Sequence, residues 1–465
     1  MKHWLTSLLL GATVSAANAQ GYTELDYYSV SDVEALATVY GLPSALFTPI
    51  TGVQAYRLEY YMPFQGDTIL VSGAVFEPTD LAADCANPVH LYAHGTVFER
   101  DNTPSFLNYE GELGFLMAGL GFTVVMPDYV GLGTDDAHLH PYVHALSEAE
   151  ACVYLLDALF STDGMSTGNH DPDQVFLSGY SQGGHAAMAA HRMLQEERPQ
   201  YHVVASAPGS GPYDISGTQF PWTFADPAYS NPAYLAYVAL AWQSVYGNLY
   251  SDLNEYFLEP FASDLPALFD GQTSGAAINA ALPTLTADFA QPDLLNTLLE
   301  ADNPFLAAAE DNDVYDWAPE APTRLYYCTE DEQVYYENAL VAEAAMSANG
   351  ASDVQALNLG AYDHGGCAGQ AIFGAALWFS TLATTCEPWS VSESHPEAAP
   401  QLAPNPATSS TLWTELPSNS TWIAYDLGGR HVASGKGQRI NVAGWPEGVY
   451  LIEAEGKTAR LSVHH

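Results

Sequence analysis

Gln174-Val175-Phe176-Leu177-Ser178-Gly179-Tyr180-Ser181-Gln182-Gly183-Gly184-His185-Ala186-Ala187 decides the reading of this chain. Gln174–Leu177 reads as a short apolar strand, and Ala-rich Gly183–Leu194 as a helix. Between them stands Gly-x-Ser-x-Gly. Gly179 and Gly183, two residues either side of Ser181, permit a tight turn that lifts the serine hydroxyl clear of the strand end. Gly184 allows the helix to pack close to the sheet. Isolated strings of this kind occur by chance; the strand–turn–helix setting makes Ser181 a candidate nucleophile.

A serine nucleophile needs a base. His364, in Tyr362-Asp363-His364-Gly365-Gly366, follows the last strand and precedes a helix starting near Gly369. That is the chain order Ser…acid…His. His185 is a weaker rival because it sits on the helix behind the turn. The base needs a carboxylate to set its tautomer and stabilise the imidazolium. Thr329-Glu330-Asp331-Glu332-Gln333-Val334 offers three adjacent acids, of which Asp331 is favoured and Glu330 is the runner-up. A tetrahedral intermediate needs N–H donors. Gln182 supplies one, and the loop Ala93-His94-Gly95-Thr96 supplies the second from Thr96, with Gly95 as the alternative.

Outward from this motif the chain alternates strands and helices. His90–Ala93, Phe122–Met126, His202–Ser206, Arg324–Cys328 and Val354–Leu359 read as strands, and a capping box at Ser147 and Glu150 opens a helix through Phe160. This rhythm predicts an α/β fold with a mostly parallel sheet covered on both faces. Ahead of it, residues 55–76 read as a hairpin around Gln65-Gly66-Asp67, and Ser31 with Glu34 caps a helix through Val39. About 215–322 carries no strand signal and many aromatics, which predicts a helical lid. Residues 389–403 are rich in Ser, Glu, Pro and Ala and read as a linker; 404–465 reads as a small all-β unit. The main domain is expected over 20–388.

Eleven Lys+Arg against 55 Asp+Glu give a formal net charge of −44. Too few cations exist to build a nucleic-acid-binding patch, and an anionic membrane surface is disfavoured. Residues 1–19 read as a signal peptide: basic Lys2 and His3, an apolar stretch from Leu5 through Leu10, and the small-residue site Ala17-Asn18-Ala19. Export with no stable membrane insertion follows. His138, His140 and His144 with Asp135 and Asp136 have ligand chemistry without sharp ligand spacing and read as a loop, and the spacings of the five cysteines suggest no metal site. No metal or other cofactor is expected. Glu310-Asp311-Asn312-Asp313 lacks the EF-hand spacing.

Ala93-His94-Gly95-Thr96, Pro127-Asp128-Tyr129-Val130-Gly131-Leu132-Gly133, His140-Pro141-Tyr142 and Gly179-Tyr180-Ser181-Gln182-Gly183-Gly184 together resemble the secretory lipase (lipase-A-like) branch of the α/β-hydrolases, over roughly 55–385. The resemblance implies an esterase or lipase acting on ester or lipid substrates through Ser181, Asp331 and His364, under a helical lid. Pro404-Asn405-Pro406, Tyr425-Asp426-Leu427-Gly428-Gly429 and Gly448-Val449-Tyr450-Leu451-Ile452 resemble the C-terminal sorting domain of the type IX secretion system of Bacteroidota. That implies the type IX machinery as a partner, then release or attachment at the cell surface. The chain departs from the usual pattern by ending in Val463-His464-His465. If Asp331 and His364 meet, Cys328 and Cys367 lie in neighbouring loops, as a disulfide bracing the two or as two buried thiols.

The expected chemistry is acyl transfer: His364 takes the Ser181 proton, the oxyanion forms against Gln182 and Thr96, and water completes hydrolysis of the acyl-enzyme. A serine peptidase or amidase on the same fold is the first alternative, since fold and triad do not set the scissile bond. A non-catalytic surface-binding protein is the second.

Overall fold

A computed structural model describes residues 19–42, 47–82, 85–161, 169–225, 229–292, 294–386, 402–405, 407–413, 416–426, 431–446, 448–454 and 457–463. The expected signal peptide, except Ala19, and nearly all of the expected linker lie outside them. The chain divides into two compact units, Met1–Trp389 and Ser390–His465.

The first unit is built on one nine-stranded sheet with order β1-β2-β3-β5-β4-β6-β7-β8-β9. Its strands are β1 Ala19–Tyr28, β2 Val53–Phe64, β3 Asp67–Pro78, β4 Asn87–Ala93, β5 Thr123–Pro127, β6 His170–Tyr180, β7 Val203–Gly209, β8 Thr323–Tyr327 and β9 Val354–Asn358. The first three and the β3–β5 pair are antiparallel; from β5 through β4, β6, β7, β8 and β9 the sheet is parallel. Gln65 and Gly66, both at positive φ (51° and 88°), turn β2 into β3 with the backbone hand that suits a twisted hairpin. β4 is buried at every position, as a strand covered on both faces must be.

Helices α1 Val30–Val39, α2 Tyr109–Gly119, α3 Ala145–Ser161, α4 Gln182–Glu197, α11 Glu337–Ala348 and α12 His364–Leu382 cover the sheet. One core contains Leu91, Val125, Leu155, Leu177 and Met188. The other contains Phe76, Phe115, Phe176 and Phe379. The lead-in helix is capped by Ser29 with Asp32, not by Ser31 with Glu34. Both serines precede an acid by three residues, and the earlier one wins because its hydroxyl accepts from Asp32 N while Asp32 binds back to Ser29 N. Likewise α3 begins at Ala145, so Ser147 lies inside its first turn and bonds to His144.

Between β7 and β8 the chain forms helices α5 Phe220–Ala225, α6 Pro232–Tyr246, α7 Phe261–Leu268, α8 Gly275–Ala281, α9 Leu294–Leu298 and α10 Pro304–Asp311. They share a third core containing Trp242, Phe257, Phe289 and Phe305. Among the described residues, their pairing is helical apart from one bridge, Phe257 to Ala290.

The second unit carries two small sheets. One pairs Leu402–Ala403, Ser410–Trp413 and Arg439–Asn441; the other orders His431–Lys436, Thr421–Asp426, Gly448–Ala454 and Lys457–Val463. Trp413, Ile440, Ile452 and Leu461 form its core.

Candidate active site

Parallel strands deliver the candidate residues to one sheet edge. β4 pairs with β6 up to Ala93 and Gly179, so the loop after β4 adjoins the turn after β6. β8 and β9 release the acid and histidine loops beyond their own C-terminal ends. Ligands of open α/β sheets bind at such carboxyl ends.

Ser181 sits at φ 61°, ψ −122° between β6 and α4, a conformation costly for a residue with a side chain. The surroundings impose it. A Cβ on Gly183 would collide with the Ala93 carbonyl, one on Gly179 with the Gly183 carbonyl, and one on Gly184 with the Gly209 carbonyl. Ser181 N donates to Gly209 O at 3.0 Å, which fixes the turn on β7.

Asp331 Oδ2 and Oδ1 lie 2.8 and 2.9 Å from His364 Nδ1. Asp331 is buried, and its Oδ1 also accepts from Gln333 N and Val334 N at 3.0 and 2.9 Å. These donors hold the carboxylate in one orientation. Glu330 is exposed. Glu332 accepts from His364 N at 3.0 Å, a contact that sequence reading missed. Asp363 caps α12, receiving Gly366 N at 2.7 Å, and so places His364 on the first helical turn. Tyr180, next to Ser181, donates its hydroxyl to His364 O at 2.7 Å, with the two rings 4.9 Å apart. Cys328 and Cys367 form a disulfide. A second one, Cys85–Cys386, was not foreseen; Cys152 is free and buried.

His185 is differently engaged. Its Nδ1 meets Glu148 Oε2 at 2.7 Å and its Nε2 meets Asn312 O at 2.9 Å, so neither ring nitrogen is open to a serine proton. With Asp331 on Nδ1 of His364, the opposite nitrogen of that ring has no partner among the described residues.

Gln182 N is the first amide of α4, one of the helix-end donors without an intrahelical acceptor. Gly95 N is committed to Glu110, at 3.0 and 3.1 Å. Thr96 N has no backbone acceptor among the described residues, while its hydroxyl donates to Tyr142 Oη at 3.1 Å. Of the two candidate second donors, Thr96 is the uncommitted one.

A cavity of about 60 Å³ opens beside Ser181 and Gln182, walled by Tyr142, Val143, Phe220 and Trp242. Lid helices supply much of the lining. The histidines between β5 and α3 are absorbed structurally: His138 on Asp135, His140 on Val130 O and His144 on Ser147. Among the described residues no cluster of three or more metal-ligating side chains occurs, and no helix is long and apolar enough to cross a membrane.

A family profile described as secretory lipase matches residues 111–378. Among solved structures, a putative hydrolase from Legionella pneumophila is 28% identical, with TM-score 0.73, over 78% of this chain and 98% of that one. The rice cell wall degrading esterase LipA from Xanthomonas oryzae is 26% identical in a ligand-bound form, with TM-score 0.67, over 78% of this chain and 96% of that one. Candida antarctica lipase A in its closed state, 15% identical over 80% of this chain and 84% of that one with TM-score 0.55, shares the fold. A search of curated protein sequences finds no match. With the profile running from α2 into α12 across more than half of the sequence, around the Ser181 turn and the Asp331–His364 pair, the chain belongs to the secretory lipase family.

Proposed function

We propose that this protein is a secreted serine hydrolase that cleaves carboxylic esters through Ser181, His364 and Asp331. The observation that carries the reading is the buried Asp331 carboxylate 2.8 Å from His364 Nδ1, on the same sheet edge as a serine held at positive φ. His364 takes the Ser181 proton as the hydroxyl attacks the ester carbonyl and returns it to the departing alcohol. Asp331 holds the imidazole in the tautomer with Nδ1 protonated and stabilises the imidazolium. The N–H groups of Gln182 and Thr96 receive the oxyanion, a role in which losing one donor costs roughly 3 kcal/mol of barrier in a serine protease. Water then hydrolyses the acyl-enzyme with the roles reversed.

Membership of a secretory lipase family and likeness to an esterase support the ester as substrate. Two disulfides support an oxidising, extracellular destination. The tail motifs support type IX export of residues 404–465 as a sorting unit; expression of a chain lacking them, followed by assay of cells and medium, tests that route. Fluorophosphonate labelling of the wild type beside Ser181→Ala tests the nucleophile. A protein labelled equally in both forms overturns it.

A further inference from the structure

Beneath the candidate oxyanion site lies a buried polar network that the mechanism above does not use. Glu148, in the first turn of α3, is 1% exposed. Its Oε1 accepts from Gln182 Nε2 at 2.7 Å and from Val143 N at 3.0 Å. Its Oε2 meets His185 Nδ1 at 2.7 Å. Gln182 and His185 stand three residues apart on α4 and so present the same helix face. The Gln182 amide donates again, to His140 Nε2 at 2.7 Å, while His140 Nδ1 donates to Val130 O at 2.9 Å. Burial holds the His140 ring neutral, with its pKa pushed down to about 3, so Nε2 is an acceptor and the Gln182 orientation is set.

His185 carries the network into the lid. Its Nε2 faces the Asn312 carbonyl at 2.9 Å, just beyond α10, and a carbonyl can only accept. Nε2 therefore bears a proton, and a further proton lies between Nδ1 and the Glu148 carboxyl. Asn312 Oδ1 in turn accepts from Ala145 N, at the start of α3, at 2.8 Å. Val143 holds φ 53°, strained for a β-branched residue. It is anchored by Glu148 on its N–H and by the Trp242 indole on its carbonyl at 3.3 Å.

We propose that Glu148 is a positioning residue for the reaction, acting through the Gln182 side chain to aim the Gln182 N–H at the oxyanion, with His185 tying that alignment to the seated lid. This rests on Ser181 as nucleophile and Gln182 N–H as oxyanion donor. Gln182 Nε2 has two buried acceptors while Gln182 Oε1 has none, so the amide is held through its donors, and a missing acceptor releases the group it held. Gln182 makes no side-chain bond to substrate in this account; its amide is the handle by which the first turn of α4 is held.

The test is the rate of fluorophosphonate labelling and ester turnover in Glu148→Ala, Gln182→Ala, their double variant and Glu148→Gln, beside wild type and Ser181→Ala, with thermal melts on each. Loss of one oxyanion donor costs about 10²–10³-fold in kcat; misaiming one should cost about 10–100-fold in Glu148→Ala, with KM within about 3-fold. Gln182→Ala should fall by about 10-fold or more, and the double variant no further than Glu148→Ala, because both remove the Glu148–Gln182 linkage. Glu148→Gln should recover most of the loss. Its amide oxygen accepts from Val143 N and Gln182 Nε2, and its NH₂ donates to a neutral His185 Nδ1.

Glu148→Ala at the wild-type rate overturns the proposal, as do additive losses in the double variant. Equal losses in Glu148→Gln and Glu148→Ala overturn it too, since charge rather than position is then the cause. Should Glu148→Ala fail to fold, Gln182→Ala decides: a wild-type rate overturns the proposal. Absence of labelling in the wild type, by contrast, refutes the nucleophile itself.

Discussion

Cys328 is bonded to Cys367, and the two sit three residues before Asp331 and three residues after His364. The cross-link therefore closes the acid loop against the first turn of α12. A closed loop of this separation, 39 residues, limits the unfolded chain by about 4 kcal/mol in the chain-entropy account. The folded site gains as well, because neither loop can drift without the other. A Cys328→Ala/Cys367→Ala variant should melt well below the wild type. At temperatures where it remains folded, kcat should drop about tenfold. A lowered melting temperature with unchanged kcat shows the bond to be structural only.

Three acids crowd the loop after β8, and only one meets the imidazole nitrogen. Asp331→Asn should lower kcat by about 10³–10⁴-fold, the scale seen when a triad acid is made neutral in a serine protease. Glu330→Gln, at an exposed position, should stay within about 2-fold. Glu332→Gln should fall between them, because its carboxylate holds His364 N. Initial rates on one soluble ester check the ranking; a larger loss in Glu330→Gln than in Asp331→Asn reverses the assignment.

Much of this arrangement could be read from residues close together in sequence. The turn at Ser181 declares itself through glycines within three residues of it. Cys328 and Cys367 were legible once Asp331 and His364 were, because each lies beside its motif. Cys85–Cys386 was not, since its partners are 301 residues apart with no motif beside either. β1 was missed because it is a largely exposed edge strand carrying Glu24 and Asp26. α2 was missed because Gly111, Gly114 and Gly119 mask its helical signal. Gly114 is there for packing, as the Phe76 ring occupies the space its Cβ would take. The links that tie α3, α4 and the lid together in the Glu148 network span 34 to 167 residues, beyond any local pattern.

Asp313 clasps the first residues of the lid. Asp313 accepts from Ile215 N, Ser216 N and the Ser216 hydroxyl at 2.7, 3.0 and 2.6 Å. Burial, with neighbouring Asp214 adding to it, pushes its pKa up from 3.8 to about 7. Between those values the folded protein holds a proton that the unfolded chain has released. Asp313 therefore lowers stability as pH rises through this window, and below about 4 the effect vanishes. Asparagine can keep both backbone contacts and donate to the Ser216 oxygen. Asp313→Asn should melt a few degrees above wild type at pH 8, with the gain shrinking toward pH 4. A gain that grows on acidification contradicts this account.

The cavity beside Ser181 is small, and Phe220, Leu235 and Val238 line both it and a second apolar void, bounded also by Phe224, Tyr256 and Phe305. Short acyl groups should be the preferred substrates. Phe220→Ala should join the voids and move the optimum toward longer chains, while costing about 3–5 kcal/mol of stability from the lost core ring. An acyl-length series on both proteins reads the shift; identical profiles remove Phe220 as the divider.

The most direct measurement is hydrolysis of p-nitrophenyl esters from acetate to palmitate by the wild type and by Ser181→Ala. The account predicts turnover by the wild type, weighted to the short esters, and a fall of at least about 10³-fold in the variant with its melting temperature preserved. Equal turnover by both proteins, or none by the folded wild type on any ester, would contradict Ser181 as the nucleophile of an ester hydrolase.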